Sequence, residues 1–130
     1  MRNAGINVAV MANNHVFDGG KQGVYTTLSL LDSAGIQHTG VFTDTPDFQK
    51  RHPLYIRAKG LQFAILNYTY GTNGLPTPDG LYVNRIDSFV IARDILQIDR
   101  ATTDCIIVFF HWGQEYARLP DARQKALATL

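Results

Sequence analysis

An α/β layered domain is the fold this sequence predicts, and three observations carry the prediction. Short apolar runs rich in β-branched residues, such as INVAVMA over residues 6–12 and DCIIVFF over 104–110, alternate with stretches of helical spacing. Strands alternating with helices build layered sheets flanked by helices. Two polar, histidine-bearing clusters then follow two of those apolar runs, at the strand ends where open α/β sheets bind ligands.

The elements follow in order. Residues 6–12 lack strict alternation, which predicts a strand buried on both faces. Residues 13–20 form a polar, glycine-bearing turn. Residues 21–34 predict a helix, because Val24, Leu28 and Leu31 recur at i, i+4 and i+7; Gly35 stands where a left-handed C-cap falls. Residues 36–40 predict a short strand, and 41–52, with Pro46 and several charges, a polar connector. Residues 54–58 and 61–68 predict two strands around a Lys59-Gly60 turn. Residues 70–85 hold three glycines and two prolines and predict a long loop, a length that in compact domains is often functional. Asp87 predicts an N-cap for a second helix, with Ile91, Ile95 and Ile98 on one face. Residues 104–110 predict another buried strand. Pro120 is expected to open a third helix, where proline is tolerated at the first position, still running at Leu130.

Composition narrows the function classes. The chain has 130 residues, 12 Lys and Arg against 11 Asp and Glu, and a net charge of +1. That length suits one domain, residues 1–130, with a real core. The charges are dispersed, which argues against a nucleic-acid or polybasic membrane surface. No run reaches the roughly 20 apolar residues of a membrane span, and Met1 to Ala12 does not read as a leader segment. The single cysteine, Cys105, lies inside an apolar run and is expected to be a buried structural thiol.

The candidate chemistry sits in two clusters. One is Asn13-Asn14-His15 with Asp18 behind it; the other is His111-Trp112-Gly113 followed by Glu115. If the two strands that carry them are parallel neighbours, both clusters reach one rim. A neutral imidazole is a good ligand for zinc, manganese or iron, and an amide oxygen suits harder divalent ions. A histidine beside a metal can also protonate a leaving group. Structural readings stand beside these. Asn13 and Asn14 can make side-chain turns that cap a helix, His15 can be a hydrogen-bonded turn residue, Trp112 a packed wall, and Glu115 a solvated charge. His38, in a strand, and His52, before Pro53, read as non-catalytic.

Here the residues resemble a known family. ANNHVFDGGKQG is similar to the NNH-x-x-D-x-G-x-x-G element, and HWGQEY with Pro120 and Gln124 to the HWG-x-E-Y…P…Q element, of the bacterial capsule-synthesis family (PGA_cap, CapA/PgsA type) tied to poly-γ-glutamate. LNYTYGTNGLP between them resembles the same family, so the likeness covers essentially the whole chain. That family is similar to calcineurin-like metallophosphoesterases. The resemblance therefore implies a layered metallophosphatase-like β-sheet sandwich flanked by helices. It implies that Asn14 and His111 are metal ligands, that His15 is the acid or electrophile at the scissile bond, and that divalent ions of the Mn, Fe or Zn class are cofactors. Asp18 is then expected to fix the turn or cap the first helix. Asn13, Trp112 and Glu115 are expected as pocket or turn support, Glu115 with no ligand role.

The sequence departs from the superfamily's metal turn where Asn13 replaces Gly and Val16 replaces an acid. By the same resemblance, a Gly-Asp strand and an acidic Asn-Leu-Glu element are expected before residue 1, and a Gly-x-His-Pro-His element after residue 130. The expectation is thus a domain truncated at both ends, with an incomplete metal site, weak metal binding and no activity by itself, and prone to self-association through uncovered edges. For the intact parent, the resemblance implies a metal-dependent hydrolase or transferase at the cell envelope, membrane-anchored or extracytoplasmic, partnered by capsule polymer or its synthase and export complex. A non-catalytic accessory of that complex and an intracellular small-molecule phosphoesterase remain alternatives.

Overall fold

The computed structural model describes residues 2–130; Met1, where the N-terminal reading begins, lies outside the described residues. The expected alternation is present. A first half contains β1 (Val8–Val10), α1 (Gly20–Ser33), β2 (Gln37–Thr39), β3 (Val41–Phe42) and α2 (Thr45–Arg51). A second contains β4 (Leu54–Ala58), β5 (Leu61–Thr69), β6 (Tyr82–Val83), α3 (Ser88–Leu96), β7 (Cys105–His111) and α4 (Ala122–Leu127). β1 pairs parallel with β2, β3 antiparallel with β6, and β5 lies between antiparallel β4 and parallel β7. The protein is therefore a mixed, layered α/β structure.

α1 forms where the spacing predicts it. Val24, Leu28 and Leu31 are its buried face, and they pack with Phe17, Ile36, Val41 and Leu81 into one core cluster. Burying a side chain of this kind contributes about 1.5–3 kcal/mol. The helix stops at Gly35, whose φ of 64° lets Gly35 N–H donate to Asp32 O and Ile36 N–H to Leu31 O, both at 2.9 Å. That bond pair satisfies carbonyls the helix end leaves open. The second core lies under β5: Ala64, Leu66 and Tyr68 meet Ile91, Ile98 and Leu127 from α3, its exit and α4. Asp87 caps α3, accepting from Phe89 N–H and Val90 N–H. The β4–β5 hairpin closes on Lys59 and Gly60, both left-handed, as a two-residue turn joining right-twisted strands requires.

Several expectations are corrected. Residues 41–52 are not a plain connector: they hold β3 and α2. α2 has no buried residue, so no apolar period marks it; its cap is Asp44, which accepts from Asp47 N–H at 2.8 Å. The 70–85 loop contains β6, a strand too short to show alternation. β1 is half-buried, with β2 its only strand partner among the described residues, not buried on both faces. β7 likewise pairs only with β5 there, so Cys105 is exposed and not a buried thiol. Pro120 stands one residue before the N-cap of α4, Asp121, which forms a reciprocal capping box with Gln124. α4 ends at Leu127 and does not run on to Leu130.

The strands that lead into the two histidine-bearing clusters, β1 and β7, are not neighbours. Two features of the second half join them instead. Asn67, toward the C-terminal end of β5 and 2% exposed, accepts from Ala12 N–H at 2.6 Å and donates to Phe109 O at 3.3 Å. Residues 82–86 then stitch the halves together: Asn84 N–H donates to Gly40 O, and Asn84 O accepts from Thr69 N–H. Gly40 must be glycine here. Its φ is +97°, and a Cβ would overlap Asn67 Oδ1 and come within 2.8 Å of Ala12 N.

Candidate functional site

The turn after β1 is built by its own asparagines. Asn13 Oδ1 accepts from His15 N–H at 2.9 Å, and Asn13 Nδ2 donates to Met11 O at 2.9 Å. This side-chain turn presents Asn14 and His15 in different directions. Asn14 turns inward and is 8% exposed. The His15 side chain is 66% exposed, with Nδ1 2.7 Å from Asp18 Oδ2. Asp18 holds the His15 ring through Nδ1, and Nε2 makes no hydrogen bond among the described residues. Asp18 does not cap α1, whose N-cap is Gly19 with no side-chain cap bond.

His111 closes the other side. Its Nε2 lies 2.9 Å from Asn14 Oδ1, across 97 residues of sequence. Tyr70 stacks on the His111 ring at 5.9 Å with 16° between planes, and Tyr70 N–H donates to His111 O at 2.9 Å. Trp112 stacks on Phe110 at 4.6 Å and packs against the second core. Glu115 is exposed and makes no side-chain hydrogen bond among the described residues. A cavity of about 220 Å³ opens beside the first cluster, with His15 and Asn13 at its polar side and Val24, Leu28 and Val41 deeper in.

The sequence reading missed Asn73, Asn67 and Tyr70. Asn73 Oδ1 accepts from Asn14 Nδ2 at 3.0 Å, and Asn73 Nδ2 lies 3.4 Å from His15 Nδ1. The available signal was the Asn73-Gly74 pair, a strong turn former.

The donor atoms test a divalent metal. Ligands at the usual 2.0–2.1 Å from a shared ion sit about 2.8–3.0 Å apart in octahedral geometry and about 3.3–3.4 Å apart in tetrahedral geometry. The 2.9 Å between Asn14 Oδ1 and His111 Nε2 matches the octahedral edge, so the pair fits two adjacent coordination positions. Among the described residues, no group of three or more His, Cys, Asp or Glu could hold an ion. An ion there would also require Nε2 of His111 to give up the proton it shares with Asn14.

The other two histidines lie away from this rim. His52 is sealed, with Nε2 2.8 Å from Asp94 Oδ2 and Nδ1 accepting from Asn84 Nδ2 at 3.1 Å. The Tyr68 hydroxyl donates to the same Asp94 oxygen at 2.9 Å, and Arg93 donates to the other. Burial by itself pushes the Asp94 carboxyl up, but hydrogen bonds from His52, Arg93 and Tyr68 outweigh it and hold the pKa below the ordinary aspartate value. Burial, with the Asp94 charge beside it, drives the Tyr68 phenol far up. His38 sits between Asp32, at 3.2 Å, and Arg51, at 2.8 Å. Burial first, then the Arg51 charge, lowers its pKa.

The comparisons with known proteins agree with one another. Residues 1–130 match the family described as bacterial capsule synthesis protein PGA_cap. The chain is 26% identical over 133 residues to a capsule biosynthesis protein CapA of Bacillus anthracis, covering 98% of this chain and 32% of that protein. It is 28% identical over 121 residues to a PGA biosynthesis protein CapA of Bacillus subtilis (strain 168), covering 90% of this chain and 31% of that protein. The chain thus spans about a third of the length of the curated relatives it matches.

Proposed function

This chain belongs to the bacterial capsule synthesis protein family PGA_cap, and from that premise we propose that it forms part of a metal-dependent hydrolase or transferase acting on a phosphoester or acyl bond in capsule polymer synthesis at the cell envelope. The observation that carries the reading is the 2.9 Å approach of Asn14 Oδ1 and His111 Nε2, two neutral donors brought to one point by elements far apart in sequence. In this reading the pair holds a divalent ion of the Mn, Fe or Zn class within a metallophosphatase-like fold, and further ligands come from outside these residues. A bound ion supplies a Lewis acid that polarises the oxygen of the bond to be broken. His15 contributes the proton: its ring is exposed, its Nδ1 is tied to Asp18, and its Nε2 would serve the leaving group. The partners are the capsule polymer and its synthase or export complex.

The second reading is a non-catalytic accessory of that complex, in which the rim of Asn14 and His111 binds polymer or stabilises the fold without turnover. Complementation separates the two. In a strain lacking the full-length protein, the His15→Ala and His111→Ala forms are each expected to lower cell-associated polymer at least tenfold while the protein accumulates normally. Undiminished polymer with both histidines replaced overturns the enzymatic reading in favour of the accessory one.

A further inference from the structure

We infer that Asn73 is the positioning residue that sets which face of the Asn14 amide looks at His111. The inference rests on the reading of Asn14 and His111 as a ligand pair for its consequence, but not for its geometry. Asn14 has two nearly isosteric ends. Only the oxygen can ligate a cation, and only the NH2 can donate. Asn73 Oδ1 takes a hydrogen bond from Asn14 Nδ2 at 3.0 Å, which leaves Oδ1 as the end that meets His111 Nε2 at 2.9 Å. Without that acceptor the amide can rotate half a turn and present a donor to His111.

Asn73 is itself held. It lies in the turn of residues 72–75, closed by Leu75 N–H donating to Thr72 O at 2.9 Å. Asn73 and Gly74 have φ of 50° and 77°, the left-handed pair that asparagine followed by glycine adopts readily. The turn is anchored from behind: Thr72 is 1% exposed, its hydroxyl donates to Leu75 O at 2.6 Å, and Arg85 donates to that hydroxyl at 2.8 Å. Asparagine thus serves twice at this position, as a residue tolerant of positive φ and as the acceptor aimed at Asn14. Its Nδ2 also lies 3.4 Å from His15 Nδ1, so one side chain of the 70–85 loop touches both Asn14 and His15 of the first cluster.

The tautomer of His111 reports the Asn14 orientation directly. With Asn14 Oδ1 facing it, neutral His111 carries its proton on Nε2; with the NH2 facing it, the proton moves to Nδ1. The test is nitrogen NMR of 15N-histidine-labelled full-length protein, stripped of metal and at alkaline pH, with manganese titration calorimetry beside it. Asn73→Gly keeps the left-handed turn and deletes the acceptor. Asn73→Asp keeps the acceptor and tolerates the same backbone. Native protein and Asn73→Asp are expected to show His111 protonated on Nε2, and Asn73→Gly a mixture of tautomers. Manganese affinity is expected to fall about 10–100-fold in Asn73→Gly, the range for losing a residue that orients a ligand, and to recover largely in Asn73→Asp. An unchanged His111 spectrum in Asn73→Gly overturns the inference. If manganese fails to bind the native protein while the tautomer shifts as stated, the ligand-pair reading falls and the positioning role stands.

Discussion

Two histidine–aspartate pairs in this chain have nearly the same short contact and opposite surroundings. His15 and Asp18 meet at 2.7 Å with side chains 66% and 54% exposed; His52 and Asp94 meet at 2.8 Å with side chains 3% and 4% exposed. The first pair lies within one turn, three residues apart. The second joins the α2–β4 connection to α3 across 42 residues. The exposed pair has an imidazole edge free to meet a ligand. The sealed pair has every polar neighbour occupied, by Asn84, Tyr68 and Arg93. A short His–Asp contact is therefore not by itself a sign of chemistry; what the remaining ring nitrogen faces decides.

The comparison breaks most visibly at Asp94. Asp94→Ala leaves His52 and the Tyr68 hydroxyl buried without their partner. Removing one member of a buried pair costs about 3–5 kcal/mol, so a large drop in the urea midpoint is expected. A loss below about 1 kcal/mol would mean that the sealed pair does not hold the fold.

Acid sharpens it next. The folded pKa of Asp94 is below the ordinary aspartate value of 3.8. Its ionised form therefore contributes stability that is present above that value and is lost as pH falls through the folded one. Unfolding midpoints measured from pH 5 downward should decline more steeply below about 3.8 in the native protein than in Asp94→Asn. Parallel curves would remove Asp94 from the acid response. His38, whose folded pKa is lowered from 6.5 by burial and Arg51, adds a separate loss at higher pH, common to both proteins.

The smallest stability effect belongs to the exposed pair. His15→Ala should change unfolding free energy by no more than about 0.5 kcal/mol, as exposed substitutions do, while removing function in the full-length protein. A destabilisation of about 2 kcal/mol or more would make His15 a structural residue and erase the contrast with His52.

Much of the fold was legible in local pattern. α1 was written in Val24, Leu28, Leu31 and Gly35, α3 in Asp87 and Ile91, and the β4–β5 hairpin in Lys59-Gly60. α2 and β6 were not, because a seven-residue helix with no buried face and a two-residue strand leave no period to read. Burial of β7 was overestimated for a related reason: an apolar run specifies a strand but not how many neighbours cover it, so Cys105 and Phe109 read as core and are exposed.

The site divides the same way. The sequence by itself determined its chemistry, since amide, imidazole and carboxylate at residues 13–18 and imidazole at 111 are fixed by composition, and the Asn13 side-chain turn is local. It also carried the family, because both motifs are contiguous. Only the tertiary structure decided that Asn14 and His111 meet. Their strands are not neighbours, and the contact depends on Asn67 bridging Ala12 to Phe109, on Gly40 leaving room for that bridge, and on Asn73 turning the Asn14 amide. Each of these acts across 27 or more residues through one hydrogen bond or one missing methyl group. Such contacts have no period and no local signature, so they exist only once the chain has folded.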